Sequence, residues 1–104
     1  MAKYLFVYHG GGHPSGPEEG QKVMAAWGAW FGALGAAVID GGAPVGQSTT
    51  VRPDGSVADD GGANPASGYS LIEASSLEDA QAKAKGCPIL AAGGSVEIAP
   101  CMAM

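Results

Sequence analysis

Histidine and aspartate are the residue types that most clearly suggest chemistry in this chain of 104 residues. His9 and His13 are its only histidines, and they flank three consecutive glycines. A histidine beside a flexible loop can act as a general base near neutral pH, because its ordinary pKa is about 6.5. Asp40 ends a later strand-like segment and would complete an acid–base pair if its carboxylate met the ring. We therefore predict His9 and Asp40 as catalytic residues.

The glycine triplet between the two histidines is similar to two known kinds of site but satisfies neither. An esterase oxyanion loop of the His-Gly-Gly-Gly kind requires a Gly-x-Ser-x-Gly nucleophile elbow, which this sequence lacks. A metal site on His9 and His13 would have only two ligands, and their spacing of four suits a helix that three glycines disfavour. We predict no metal and no cofactor.

Three further side chains are candidates for contact with a small molecule. Trp27 and Trp30 lie on the apolar face of a predicted helix, where packing in the core is the default. The alternative is that Trp27 lines a cleft and contacts an apolar or aromatic ligand, with the hydroxyl of Tyr69 reaching the same cleft. Arg52 either pairs with Asp54 or contacts an anionic ligand. The predicted ligand-binding residues are therefore Trp27, Tyr69 and Arg52.

Hydrophobic patterning predicts the elements that must position these residues. Pro17 suits the first turn of a helix and Gly35 its end, while Ser75 and Glu78 form a capping box before a second helix. Pro100 favours an edge position in a sheet or a bulge, because proline has no amide hydrogen to donate. The predicted order is a strand (3–9), a helix, a strand (36–40), a β-hairpin around the Pro-Asp-Gly turn at 53–55, a strand (68–74), a helix and a strand (95–102).

This order predicts one α+β domain over residues 1–104 with a ferredoxin-like (split β-α-β) plan: an antiparallel sheet with two helices on one face and an inserted hairpin. Alternation places Tyr4, Phe6 and Tyr8 on one face of the first strand, and Leu5 and Val7 on the other. Both faces are apolar, yet two helices cover only one. The simplest cover for the other face is a second copy related by two-fold symmetry, so we predict a homodimer.

Composition narrows the function classes. Lys and Arg together number five against ten Asp and Glu, so nucleic-acid binding through a basic surface is not expected. No apolar run approaches the ~18 residues of a membrane span, and the first residues lack a signal-peptide pattern, which makes a cytoplasmic protein the expectation. In a reducing compartment, Cys87 and Cys101 are interpreted as small buried hydrophobic residues.

An ordered set of segments covers essentially the whole chain: KYLFVY at 3–8, WGAWFGALG at 27–35, DGGAP at 40–44, GYSLIEASSLEDA at 68–80, CP at 87–88 and GSVEI at 94–98. In this order they resemble the YCII-related family, in its branch of DGPF-domain proteins. The resemblance implies a dimeric α+β barrel made of two ferredoxin-like protomers. It also implies a cleft beside the sheet where a helix histidine and an aspartate act as an acid–base pair. Trp27 stands at the place of that histidine, and Asp40 stands at or next to that of the aspartate.

Three functions are compatible with this sequence. The first, which we favour, is a homodimeric module that binds a small apolar or aromatic molecule in a cleft between the first helix, the first strand and the hairpin. The second is a divergent lyase-like or isomerase-like enzyme that uses His9 and Asp40. The third, which the resemblance suggests, is a regulatory protein associated with a sigma factor. The family signature Asp-Gly-Pro-Phe is altered here to Asp-Gly-Gly-Ala at 60–63.

Overall fold

Strands and helices form a mixed α+β fold, which a computed structural model describes for residues 2–12 and 15–103. His13 lies outside the described residues. A short 3-10 turn, Gly35–Ala37, joins the first helix to the second strand. The elements are β1 (Ala2–His9), α1 (Pro17–Leu34), β2 (Val38–Pro44), β3 (Thr50–Val51), β4 (Val57–Ala58), β5 (Ala66–Ala74), α2 (Leu77–Ala84), α3 (Pro88–Ala91) and β6 (Ser95–Pro100).

The main sheet has four strands in the order β2-β5-β1-β6, and every neighbouring pair is antiparallel. β1 therefore lies inside the sheet, while β6 lies at its edge, as Pro100 predicted. β3 and β4 form a separate two-stranded sheet, with Val51 opposite Val57. This confirms the predicted α+β class and the hairpin around the Pro-Asp-Gly turn.

The helix boundaries follow local sequence signals, with one shift. Pro17 occupies the first turn of α1, and Gly35 ends the helix with a φ of +57°, a value that suits glycine. The predicted capping box of α2 is wrong by one residue. The cap is Ser76, whose Oγ accepts from the Asp79 amide at 3.1 Å, while the Asp79 carboxylate accepts from the Ser75 amide at 2.9 Å. An aspartate at the third position reaches back as glutamate does, so the motif fits either register.

The core lies between one face of the sheet and the helices. Tyr4, Phe6 and Tyr8 of β1 are buried there with Ile72 of β5 and Trp30 of α1. Below, this side of the sheet is called the covered face. The stacked rings of Phe6 and Trp30 have centroids 6.4 Å apart. The alternation predicted for β1 is therefore confirmed for the covered face.

The opposite side of the sheet carries no helix of the described residues and is called the open face. The register places its apolar residues side by side across three strands, since Leu5 lies opposite both Leu71 and Ala99, and Val7 lies opposite Tyr69. Tyr69 is exposed and the other four are half-buried by their neighbours.

The two cysteines differ in their surroundings. Cys87 is buried, as expected, and burial raises the pKa of its thiol to about 11. Cys101 is exposed, so the prediction for it is wrong. β6 ends at Pro100, and only the backbone amide of Cys101 still bonds the sheet, at 2.9 Å from the Lys3 carbonyl oxygen. Among the described residues, no helix combines the length and apolarity that crossing a membrane requires.

Candidate functional site

His9 is held by two acceptors at the end of β1. Its Nε2 lies 2.9 Å from Oε1 of Glu97, and its Nδ1 lies 3.1 Å from the Pro65 carbonyl oxygen. The residue is buried, with 8 % of its surface exposed. A neutral imidazole has one N–H and can donate to only one of these oxygens, whereas the protonated ring donates to both. The site is therefore built to hold an imidazolium.

The electrostatics of the pair follow from this geometry. The hydrogen bond to Glu97 raises the pKa of His9 above its ordinary value, and the Pro65 carbonyl raises it further, while burial opposes both. Glu97 itself keeps 64 % of its side chain exposed. The pair is thus closed on the histidine side and accessible from solvent on the carboxylate side.

Strand register explains why these residues meet. In the pairing of β1 with β6, His9 lies opposite Ser95 and Glu97 lies opposite Val7, so His9 and Glu97 are diagonal neighbours on the open face. A β-bulge between Tyr8 and His9 shifts the register with β5 and places His9 opposite Ala66, next to Pro65. Both the carboxylate and the carbonyl oxygen are therefore brought to the ring by the sheet itself.

Asp40 does not meet His9. It lies opposite Leu71, whose neighbour on β1 is Leu5, four residues before His9. The strand β5 also separates β2 from β1, so the two residues are roughly 13 Å apart along the strands and about 10 Å across them. The predicted catalytic pair is not formed within one chain. His9 ends β1 as predicted, but the prediction that Asp40 ends its strand is wrong, because β2 continues to Pro44. The sequence also did not show how far β2 is offset in the sheet.

The Asp40 side chain instead organises a bulge in β2. Its Oδ1 accepts from the Gly42 amide at 2.8 Å. Gly42 has a φ of +69°, and a Cβ at this position would stand 1.8 Å from the Tyr69 carbonyl oxygen, so only glycine fits. Asp40 therefore has a clear structural role in the turn of the chain.

The three predicted ligand-binding residues lie on three different surfaces. Trp27 packs edge-on against Tyr8 and Trp30, with ring centroids 4.9 and 5.7 Å apart, in the layer between α1 and the covered face. Tyr69 lies on the open face. Arg52 lies at the tip of the hairpin, where its guanidinium is 3.4 Å from Ser56 Oγ. The cleft predicted to unite Trp27 and Tyr69 with His9 and Asp40 is therefore not formed by the described residues of one chain.

The covered face contains a chain of two hydrogen bonds that was not predicted from the sequence. The Tyr8 hydroxyl donates to Ser70 Oγ at 2.7 Å, and Ser70 Oγ donates to the Gly41 carbonyl oxygen at 2.7 Å. Burial raises the pKa of Tyr8 to about 12, although the bond to Ser70 lowers it in part. The only signal was a serine between the apolar residues of β5. Glu97, equally missed, had a similar signal as the single charge in β6.

Two shallow concave surfaces of the described residues lie away from His9. A shallow depression of about 200 Å³ lies between α2, α3 and β6, lined by Gln81, Ala84, Lys85, Leu90, Val96 and Ile98. A wider, open one adjoins the start of α1, between Ser15 and Lys22. Neither is lined by the residues predicted to bind a ligand.

Comparisons with known protein families and with curated proteins find no match to this chain. The resemblance to the YCII-related family thus stays a prediction. Within residues 2–12 and 15–103, no three or more His, Cys, Asp and Glu side chains cluster as metal ligands would. The site that the geometry offers is the His9–Glu97 pair with the open face beside it.

Proposed function

We propose that this chain is a ferredoxin-like protomer that acts as a homodimer, with the open faces of two sheets packed together, and that it binds a small apolar or aromatic molecule at the His9 end of that face. The strand order β2-β5-β1-β6, with a helix after β1 and another after β5, supports the ferredoxin-like plan. Pairing of two such sheets would give the dimeric α+β barrel that the YCII-related resemblance implies.

The open face of the sheet is the observation that supports the proposed dimer. Leu5, Val7, Leu71 and Ala99 form a continuous apolar strip across β1, β5 and β6. Polar residues border the strip at both ends: Lys3 lies opposite Glu73 at one end, and the His9–Glu97 pair lies at the other. An apolar centre with a polar rim is typical of a protein–protein interface.

The proposed small molecule binds at the polar end of this strip, beside the His9–Glu97 pair. Glu97 and the exposed Tyr69 offer hydrogen-bonding groups beside apolar Val7, which is the combination that small-molecule sites use to orient an apolar ligand. In the dimer, the second copy supplies the remaining walls of the site. The function therefore depends on the dimer.

A divergent lyase-like or isomerase-like enzyme is the second candidate. The observation in its favour is the 2.9 Å contact between His9 and Glu97, which pairs a histidine with a carboxylate as acid–base catalysis requires. In this version Glu97 takes the role that the sequence suggested for Asp40. A Glu97→Gln variant would then lose all turnover while its ligand affinity remained.

Sedimentation equilibrium of three proteins tests the dimer. We expect a dimer for the wild type at micromolar concentration, a folded monomer for Leu71→Lys, and a dimer for the control Leu90→Lys. Leu90 is an exposed leucine of α3, away from the open face. A buried lysine at a symmetric interface meets its own copy and loses hydration, so dimerisation fails. A monomeric wild type, or a dimeric Leu71→Lys, contradicts the proposed interface.

Titration with 4-methylphenol, an aromatic ring with one hydroxyl, tests the ligand site. We expect amide NMR shifts concentrated at His9, Tyr69 and Glu97 in the wild type, and their loss in the monomeric Leu71→Lys protein. Shifts confined to the helices, or equal shifts in both proteins, would place the ligand elsewhere.

A further inference from the structure

The hairpin segment, residues 45–65, protrudes from the rest of the chain and is called the arm. Only Ser48 and Ala58 of its residues are half-buried, and all the others are exposed. It leaves the sheet after Pro44 and returns at Ala66, beside His9. A segment this exposed contributes almost nothing to the core of its own chain.

The arm is nevertheless internally ordered. Gln47 Nε2 donates to the Asp59 carbonyl oxygen at 2.7 Å, and Thr50 Oγ1 donates to that of Asp60 at 2.6 Å. At the tip, the Arg52 amide donates to the Ser56 carbonyl oxygen at 2.8 Å. Among the described residues, the hydrogen bonds of residues 46–63 all join partners inside the arm. Such order without burial has a large entropic cost that the chain alone does not offset.

The arm also presents an apolar pair to solvent. Val51 and Val57 face each other across β3 and β4, and they are 70 % and 62 % exposed. Two β-branched side chains in this arrangement form the small flat surface on which a hairpin packs against another element. Within the part of the chain that the structure describes, no helix or strand covers them.

The chain exposes more surface than a compact monomer of its mass, and this supports a second copy as the partner of the arm. The chain exposes 6727 Å², whereas a compact monomer of its mass exposes about 5,300 Å², so the excess is about 1,400 Å². Its radius of gyration is likewise 14.9 Å, against about 13 Å for a compact domain of this length. A stable dimer buries about 800 Å² per partner, so the excess is enough for a dimer interface.

The open face does not account for this excess alone. Four strands spaced by about 4.8 Å, each about six residues long, make a face of only about 400 Å². The arm, in which nearly every residue is exposed, is a second surface that contributes to it. A dimer interface formed by both the open face and the arm would bury exposed surface area on both.

We propose that the arm clasps a second copy of this chain, with Val51 and Val57 packed on the partner, and that two-fold symmetry makes the contact reciprocal. The inference rests on the proposed homodimer. It adds a second contact region to the sheet pairing and links it to the candidate site, because Pro65 ends the arm and its carbonyl oxygen binds His9.

Sedimentation equilibrium of the Val51→Thr/Val57→Thr double variant tests the arm. Threonine keeps the β-branched shape, so the hairpin is preserved while its apolar surface is reduced. We expect the dimer dissociation constant to rise at least tenfold. The matched control is Met24→Gln on α1, a methionine that is 75 % exposed, for which we expect a change below twofold. Equal constants for the double variant and the wild type would overturn the arm proposal.

Isotope-filtered NMR of mixed labelled and unlabelled dimers supplies an independent readout. We expect intermolecular NOEs from the methyl groups of Val51 and Val57, and their absence would overturn the proposal. A dimer that Leu71→Lys dissociates but the arm variant leaves intact overturns the arm and keeps the sheet pairing. A dimer that only the arm variant dissociates supports the arm and overturns the sheet pairing. If the arm binds a different protein instead, the wild type remains a dimer and these NOEs are absent.

Discussion

The two faces of the main sheet are built from alternate residues of the same strands, yet their surroundings differ. On the covered face, Phe6 and Ile72 are completely buried against the helices. On the open face, their sequence neighbours Leu5 and Leu71 are only half-buried, by other side chains of the sheet. Period-two alternation thus gives one strand two roles: one face holds the chain together, and the other is available to something outside it.

Each face also has its own polar contact, and the two differ in kind. The chain from Tyr8 through Ser70 to Gly41 joins β1, β5 and β2 by neutral hydrogen bonds inside the core. The His9–Glu97 pair joins only β1 and β6, and its carboxylate stays open to solvent. The covered face uses polarity for stability, and the open face keeps an ionic group where another molecule can reach it.

Adjacent substitutions on β5 give the largest expected contrast between the faces. Ile72→Ala should lower the free energy of unfolding by about 2–5 kcal/mol, because it leaves a cavity under the helices. Leu71→Ala should cost about 1 kcal/mol or less in dilute solution, since its side chain is half-buried there. Urea unfolding followed by far-UV circular dichroism measures both values.

Protein concentration sharpens this contrast. The loss caused by Leu71→Ala should grow as the protein concentration rises, because the dimer then contributes to the stability of the wild type. The loss caused by Ile72→Ala should be nearly independent of concentration. Equal losses for both variants at every concentration would mean that the two faces are not different in role.

The covered face was predictable because its signals are local. The alternation of Tyr4, Phe6 and Tyr8, together with Trp27 and Trp30 on one face of α1, specifies which sides face each other. The edge position of β6 also followed from one residue, Pro100. These properties depend on neighbours a few positions apart, so single residues and short patterns were sufficient.

The candidate site was harder to predict because it depends on register between distant strands. His9 was selected correctly as a residue at a strand end, but its acceptors lie 56 and 88 positions away in the sequence. One register shift between β1 and β5, and two between β2 and β5, decide which side chains meet, and such shifts leave weak signals beyond glycine. Asp40 was therefore paired with His9 in the prediction, whereas the sheet places Glu97 there.

Removal of one hydroxyl tests the polar chain of the covered face. Tyr8→Phe should cost about 1–2 kcal/mol, since Ser70 Oγ loses its donor inside the core. The pKa of Tyr8 is raised to about 12 from 10, so the wild type keeps this contribution below pH 10 and loses it as the pH rises towards 12. Thermal unfolding between pH 8 and pH 12 should therefore show a steeper alkaline loss for the wild type than for Tyr8→Phe. Parallel curves would indicate that the hydroxyl is not protected by the fold.

The smallest expected effect concerns the His9–Glu97 pair of the open face, and it is measured best as a change in the pKa of His9. Glu97→Gln should lower the pKa of His9, because the hydrogen bond to the carboxylate is the largest cause of its rise and burial then acts with less opposition. The His9 pKa is raised in the folded state, so its contribution to stability is fully present below pH 6.5 and is lost as the pH rises through the folded value. Glu97→Gln should flatten that pH dependence. The change in the free energy of unfolding should be well below the change caused by Ile72→Ala.

NMR titration of the His9 ring measures its pKa. Asp40→Asn is the control, and we expect no change for it because Asp40 is far from the ring. A shift in Asp40→Asn with none in Glu97→Gln would restore the pairing predicted from the sequence and assign it to the dimer, where the second copy could bring an aspartate to the histidine.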